Sequence, residues 1–462
     1  MHVCGLLVLD PSTMEGDPYD CIRSMLLEAL PEVSLMRKRL ATAPLGIGRP
    51  FWVDDVDFDV ERHLHRVHLS PPGASRSLAH VVGEVASRPL RRDRPLWEVW
   101  FIEGLAEGRT ALLAKMHHAT IDGFEGVSIM GKLFDFGVPA RAGSGQGDDW
   151  EPHRLPHQLE LLRRSVLGRV TDSLEVTRLL PATVARLGAT LWHLWTRRGS
   201  GQGTVKPFTA PRTSFSATLT PRRSIAFTDV SLADVKVVKE AFGVKFNDVA
   251  TAVVGGGLRR YLVDRGELPN RPLVAAEPVS VHGQVGNMKG VTKLSVIFST
   301  LATDVEDPVE RLRAVASANL RAKEISAAMG SDTFTRWAGQ AWPNALSLAA
   351  RLYSGLRVAE HHPVIYNVLF SNVAGPPFDL YLAGARVAGT YAFGPITDGA
   401  GLNVTAISTG DRIGFGIVAC PDLMPEVWDL AKAIPDALDE LTVAVKRLPS
   451  DTSRRQRRPR TA

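Results

Sequence analysis

Hydrophobic and polar positions along the 462-residue chain repeat with two periods, and each predicts a kind of element. His2 to Leu9 reads as a strand that starts abruptly. Ile22, Met25, Leu26, Ala29 and Leu30 then recur at helical intervals up to Pro31, which predicts an amphipathic helix with a stop signal. A second amphipathic stretch runs from Leu78 to Ala86. Thr110 to Met116 reads as a buried strand, because Ala111, Leu112, Leu113 and Ala114 form a short apolar run. The run ends in a polar turn, His117-His118-Ala119-Thr120-Ile121-Asp122-Gly123, and Val127, Met130 and Leu133 then mark the apolar side of a following helix.

Residues 136–157 are loop-like, rich in Gly, Pro and Asp. From 158 to 196 the pattern is helical: Leu180, Val184, Leu187, Leu191 and Leu194 are spaced by four and three, with Pro181 marking a break or fresh start. Two readings stand for this basic segment, a helical layer packed on the domain or a face lying on a membrane surface. Residues 197–213 have the composition of a linker. Beyond it the pattern predicts helices at Leu232 to Phe242, Asp248 to Leu262 and Pro308 to Met329. It predicts strands at Ile225 to Val230, Val291 to Thr300, Ala385 to Thr390, Asn403 to Thr409 and Arg412 to Val418. The expected organisation is therefore an N-terminal domain at 1–196, a linker, a C-terminal domain at 214–450 and a basic tail at 451–462. Strands and helices occur in both halves, so the fold class is α/β, built as α+β layers.

Composition narrows this picture. With 45% hydrophobic and 22% charged residues, the chain is neither disordered nor membrane-spanning, and no apolar run approaches the length of a transmembrane helix. Three cysteines, Cys4, Cys21 and Cys420, are too few and scattered for a disulfide framework or a zinc site, and no secretory signal is apparent. The net charge of +5 invites a nucleic-acid reading, but its distribution argues otherwise. Residues 451–462 carry +4, residues 151–200 carry +4, and the remainder carries −3. Charge confined to a tail and one helical segment fits weak attraction to anionic lipid surfaces better than a nucleic-acid footprint.

The candidate chemistry centres on His117 and His118, with Asp122 and Gly123 in the same turn. Imidazole is the side chain best suited to accept a proton near neutral pH, and a turn after a buried strand holds such a base on a rigid scaffold. Asp122 can anchor the turn, and Gly123 lets the backbone bend sharply. The bland alternative is a pair of ordinary loop histidines. Gly126 to Lys132 matches most of a phosphate-binding loop, but Leu133 replaces the magnesium-holding hydroxyl. Neither a nucleophile elbow nor a zinc-protease motif occurs, so direct attack by an activated substrate is expected, without a covalent enzyme intermediate.

In this turn and the segments around it, the chain resembles the bacterial wax ester synthase/acyl-CoA:diacylglycerol acyltransferase family. The HH-x-x-x-D-G turn alone is shared across chloramphenicol acetyltransferase-like enzymes. Arg94-Pro95-Leu96-Trp97-Glu98, Asn247-Asp248, Gly286-Asn287 and Ser371-Asn372-Val373-Ala374-Gly375-Pro376 make the match specific. The resemblance implies two chloramphenicol acetyltransferase-like domains with a tunnel between them. It also implies a long-chain acyl transfer to diacylglycerol, with long-chain alcohols as a second acceptor class. His118 becomes the general base, His117 its supporting neighbour and Asp122 an anchor. Gly123, Pro95, Leu96, Trp97, Ser371, Asn372 and Gly375 become structural or tunnel-lining. Asn247 and Asp248 either shape the tunnel or cap a helix.

The implied substrates are acyl-CoA and a lipid acceptor, with no metal or redox cofactor and no nucleic-acid partner. The implied location is cytoplasmic, with peripheral contact to membrane or lipid bodies. Three departures from the family pattern are visible: no short segment precedes Met1-His2-Val3, His282 stands where Arg is common, and Thr409 where Tyr is common. They leave two other readings open, an acyltransferase for another hydroxyl acceptor and a catalytically weak lipid-binding homologue.

Overall fold

A computed structural model describes residues 2–44, 49–120, 152–153, 159–163, 165, 209–280, 294–329 and 343–448. In the N-terminal half, β1 (His2–Asp10) leads into α1 (Pro18–Ala29), whose Asp17 side chain accepts the Tyr19 and Asp20 N–H groups as an N-cap. A hairpin of β2 (Lys38–Ala41) and β3 (Phe51–Asp54) follows. Then come β4 (Leu64–His68), α2 (Ser75–Ser87), β5 (Trp97–Glu103) and β6 (Thr110–His117).

The C-terminal half contributes β7 (Ser224–Ser231), α3 (Leu232–Phe242), α4 (Phe246–Val263), β8 (Val274–Ser280), β9 (Leu294–Thr300), α5 (Pro308–Met329) and α6 (Pro343–Gly355). It closes with β10 (Val368–Ala374), β11 (Tyr381–Leu382), β12 (Ala385–Phe393), β13 (Leu402–Thr409), β14 (Arg412–Ala419) and α7 (Val427–Lys446). The expected layers of strands and helices are present, and the ends of α3 and α5 coincide with those the periodicity predicts.

Two six-stranded sheets organise these elements. The first has the order β11-β12-β1-β6-β5-β4, the second β7-β14-β13-β10-β8-β9. Alternation sends Cys4, Leu6 and Val8 of β1 and Ala111 and Leu113 of β6 to the face covered by α2, where Leu78, Ala79, Val82 and Val85 meet them. The other face holds Leu9, Val99, Phe101 and Leu112 against Ile22, Leu26 and Leu30 of α1. The second sheet buries Ala226, Val404, Ala406, Phe415 and Ile417 beneath α4 and α7.

The sheets do not follow a division of the chain at 197–213. Strand β12, far along the sequence, pairs antiparallel with β1 from Cys4↔Phe393 to Asp10↔Arg386 and so belongs to the first sheet. Its opposite side lies on β14 of the second sheet at a separation only glycine permits. A Cβ on Gly414 would stand 2.2 Å from the Thr390 carbonyl oxygen, and one on Gly416 would stand 2.1 Å from that of Ala392. Replacing Gly416 with Val forces these backbones apart and is expected to cost about 3 kcal/mol or more, because overpacking against backbone has little room to relax. Urea unfolding measures this, and an unchanged midpoint would contradict the close crossing.

Candidate active site

The histidine pair sits where β6 runs out. His117 is the last residue of β6, opposite His2 of β1, and its N–H donates to the Leu96 carbonyl at 3.0 Å. Leu96 and Trp97 are each 2% exposed, and the Trp97 indole N–H donates to the Met36 carbonyl at 2.8 Å. The Pro95-Leu96-Trp97 segment is thus a buried brace whose carbonyl holds the strand end that presents the histidines. After His117 the chain tightens into a 3₁₀ turn at His118–Thr120. The Thr120 hydroxyl donates to the His117 carbonyl at 2.6 Å. The His117 Nδ1 accepts the Ala119 N–H at 3.2 Å, which leaves the ring proton on Nε2.

The two imidazoles consequently differ. His117 is partly buried and engaged with its own turn, and burial above all holds its pKa below the ordinary histidine value. The His118 side chain is exposed at the mouth of the strand. Behind His117, the His2 ring stands edge-on at 5.8 Å between centroids and accepts the Leu90 N–H on Nε2 at 3.3 Å. Burial, with the positive groups of Lys115 and Arg223 adding to it, lowers His2 to about 3.

Lys115 was not among the expected site residues. Fully buried two positions before His117, its ammonium donates to the Val85 and Arg88 carbonyls at 2.8 and 2.5 Å, with the Glu98 carboxylate at 3.9 Å. It closes the C-terminal end of α2 with a cation, where the helix dipole favours one, and fastens that end to β6. A lone Lys in the apolar strand Thr110–His117 is the signal that could have flagged it.

A second polar cluster lies in the second sheet. The Asn247 amide donates to Glu277 Oε2 at 3.0 Å and accepts from the Asn372 amide at 3.0 Å, bringing together two motifs separated in sequence. Asp248 does the work of the helix-cap reading: its Oδ2 accepts the Lys245 N–H at 2.9 Å, and its Oδ1 accepts from the Asn319 amide at 2.9 Å. Gly375 donates its N–H to the Ser408 hydroxyl at 3.2 Å, and a Cβ there would stand 2.2 Å from the Ser408 carbonyl oxygen. Ser371 lies on β10 beside Thr405 of β13.

Glu277, 3% exposed, was also missed. Its signal is a single carboxylate inside the apolar strand Val274–Ser280, and burial raises its pKa despite the Asn247 and Thr251 hydrogen bonds. Asp122, Gly123, His282, the Gly286-Asn287 pair and the phosphate-loop look-alike lie outside the described residues, as do most of 158–196 and the tail. Thr409 ends β13. Among the described residues, no cluster of three His, Cys, Asp or Glu side chains is arranged to hold a metal ion, and no helix is long and apolar enough to cross a membrane.

Comparison with known proteins adds the family. The wax ester synthase/diacylglycerol acyltransferase catalytic domain matches residues 1–250, and the C-terminal domain of the same family matches residues 292–442. A Mycobacterium tuberculosis relative carrying a diacylglycerol O-acyltransferase name is 37% identical over 96% of this chain and 86% of its own length. The solved wax ester synthase/diacylglycerol acyltransferase from Marinobacter aquaeolei VT8 superposes with a TM-score of 0.66 at 27% identity, over 96% of this chain and 95% of that one. The first condensation domain of the CDA synthetase matches with a TM-score of 0.50 at 16% identity over 97% and 93% of the two chains, a likeness of fold alone.

The lowered His2 pKa gives a pH signature. The unfolded chain takes up a proton near 6.5 that the folded chain refuses until about 3, so stability contributed by neutral His2 is complete above 6.5 and lost as pH falls. His2→Gln should flatten the acid limb of stability between pH 6.5 and 3; an unchanged slope in chemical denaturation would contradict a buried neutral His2.

Proposed function

We propose a reaction for a chain that belongs, by matches to both of its domain models, to the wax ester synthase/diacylglycerol acyltransferase family. It transfers a long-chain acyl group from acyl-CoA to diacylglycerol, forming triacylglycerol, and accepts long-chain alcohols as a second acceptor class.

The His118 imidazole takes the proton of the acceptor hydroxyl as its oxygen attacks the thioester carbon. The tetrahedral intermediate collapses, the C–S bond breaks, and the protonated imidazole returns its proton to the CoA sulfur. Acyl group and proton balance between donor and acceptor, so no acyl-enzyme forms. The thioester carries the activation, and the scheme calls for no metal or redox cofactor. The observation that carries this reading is the division of labour in the histidine pair: His117 is committed to the turn by its Nδ1, while His118 is exposed. Asp122 anchors the turn in this reading, and Asn247 and Asn372 shape the tunnel from the second sheet.

His118→Ala should lower acyl transfer by about 10² to 10⁴ while leaving the fold intact. The assay follows free thiol and lipid product together, from palmitoyl-CoA with diacylglycerol or hexadecanol. Undiminished diacylglycerol-dependent CoA release by folded His118→Ala would overturn the assignment of the base.

Water-insoluble acceptors also require access to a lipid surface, which we assign to the +4 carried by residues 451–462 and the +4 carried by residues 151–200. Removing residues 451–462 should weaken binding to phosphatidylglycerol vesicles and reduce its salt dependence. Unchanged binding at low salt would remove the tail from this role.

A further inference from the structure

The loop between α2 and β5 is pinned along its length beside the histidine pair. At its start the Arg88 carbonyl accepts the Lys115 ammonium at 2.5 Å. The Leu90 N–H then donates to the His2 Nε2 at 3.3 Å, and the His2 ring lies 5.8 Å from that of His117. At its end the Leu96 carbonyl accepts the His117 N–H at 3.0 Å. Held at both ends, the loop carries its middle residues past the strand end that presents His117 and His118. Arg92 stands two residues beyond Leu90, no more than about 7 Å of extended chain.

The other arginines of this loop are occupied. Arg88 faces Glu84 at 3.7 Å. Arg91 grips the Asp93 carboxylate with its Nε and Nη2 at 3.0 and 2.6 Å. Arg94 donates to the Arg62 carbonyl at 3.0 Å and has Asp93 at 3.8 Å. Arg92 is exposed, and among the described residues its guanidinium has no ion pair and no hydrogen bond. Its charge is nevertheless felt at the site: burial above all holds the His117 pKa down, and Arg92 is among the positive groups that add to it.

A guanidinium is always charged, is weakly hydrated and presents its N–H groups as a planar fork that matches phosphate, so an unpaired one beside a reaction site is suited to an anion. The acyl-transfer reading, on which this inference rests, supplies one. Its donor offers a thioester to His118 at one end of the pantetheine arm and carries the phosphates of CoA at the other, and the scheme assigns no residue to them. We propose that Arg92 binds the CoA phosphates, on a loop whose pinning to the histidine strand fixes the donor relative to His118. A phospholipid headgroup offers the same phosphate chemistry, and the experiment separates the two.

Kinetics of the full chain with palmitoyl-CoA are compared with those for S-palmitoyl-pantetheine, which keeps the thioester and the arm but lacks the phosphates. Arg92→Gln, checked for folding by circular dichroism, should raise KM for palmitoyl-CoA about tenfold with little change in kcat, the loss expected of a charge-assisted hydrogen bond. KM for palmitoyl-pantetheine should stay where it is. Arg92→Lys keeps the charge and should recover most of the loss. Calorimetric titration with free CoA and with pantetheine reads the same recognition without turnover, and Arg92→Gln should weaken CoA about tenfold and pantetheine not at all. Unchanged CoA affinity and KM in folded Arg92→Gln, or an equal loss for the pantetheine forms, would overturn the proposal. Weakened binding of phosphatidylglycerol vesicles with CoA affinity intact would assign Arg92 to a headgroup and overturn it as well. Arg92-dependent CoA binding in a chain that transfers no acyl group would sink the reaction and leave the phosphate site standing.

Discussion

The architecture depends on one strand serving two sheets. β12 satisfies its backbone through β1, which places it in the first sheet, yet its other side rests on β14 of the second through backbone separations that no side chain could occupy. Hydrogen bonding in one direction and bare glycine contact in the other join the two layers. The ladder β12-β1-β6, with one register shift at Val8/Leu9 on the β12 side, leads to the strand end that carries the histidines, so the crossing ties their position to the second sheet.

From that frame the site is assembled by buried polar groups that spend their capacity on the backbone. Lys115 locks the end of α2, Leu96 offers its carbonyl to His117, and His117 turns its own nitrogen on Ala119. Each removes freedom from the chain just before His118, and fixed geometry is what a general base needs to be effective. In the second sheet Asn247, Glu277 and Asn372 instead bond to one another through their side chains and so join α4, β8 and β10.

Much of this was legible in the sequence wherever one face of an element is buried and the other wet. β1, α1, α2, β6, α3, α4 and α5 all announce themselves by period, since burial selects apolar residues at fixed intervals. The Pro95-Leu96-Trp97 brace came from the family resemblance and not from any local period, and its burial is what the structure adds. The pairing of β12 with β1 was not, because nothing local in Ala385–Phe393 encodes a partner at the opposite end of the chain. β8 escaped for another reason: Glu277 and Pro278 interrupt its apolar run, and the Asn247 and Thr251 contacts, with the charge of Lys323, accommodate a carboxylate there. α7 has Pro435 within it and is omitted by the periodicity reading.

The central claim is direct transfer from acyl-CoA to an acceptor hydroxyl through one imidazole. Initial velocities measured while palmitoyl-CoA and diacylglycerol are varied together test it most directly. Double-reciprocal lines that intersect, the pattern of a ternary complex, are what the account predicts. Parallel lines, with acyl group retained on the protein when acyl-CoA is supplied alone, would contradict it.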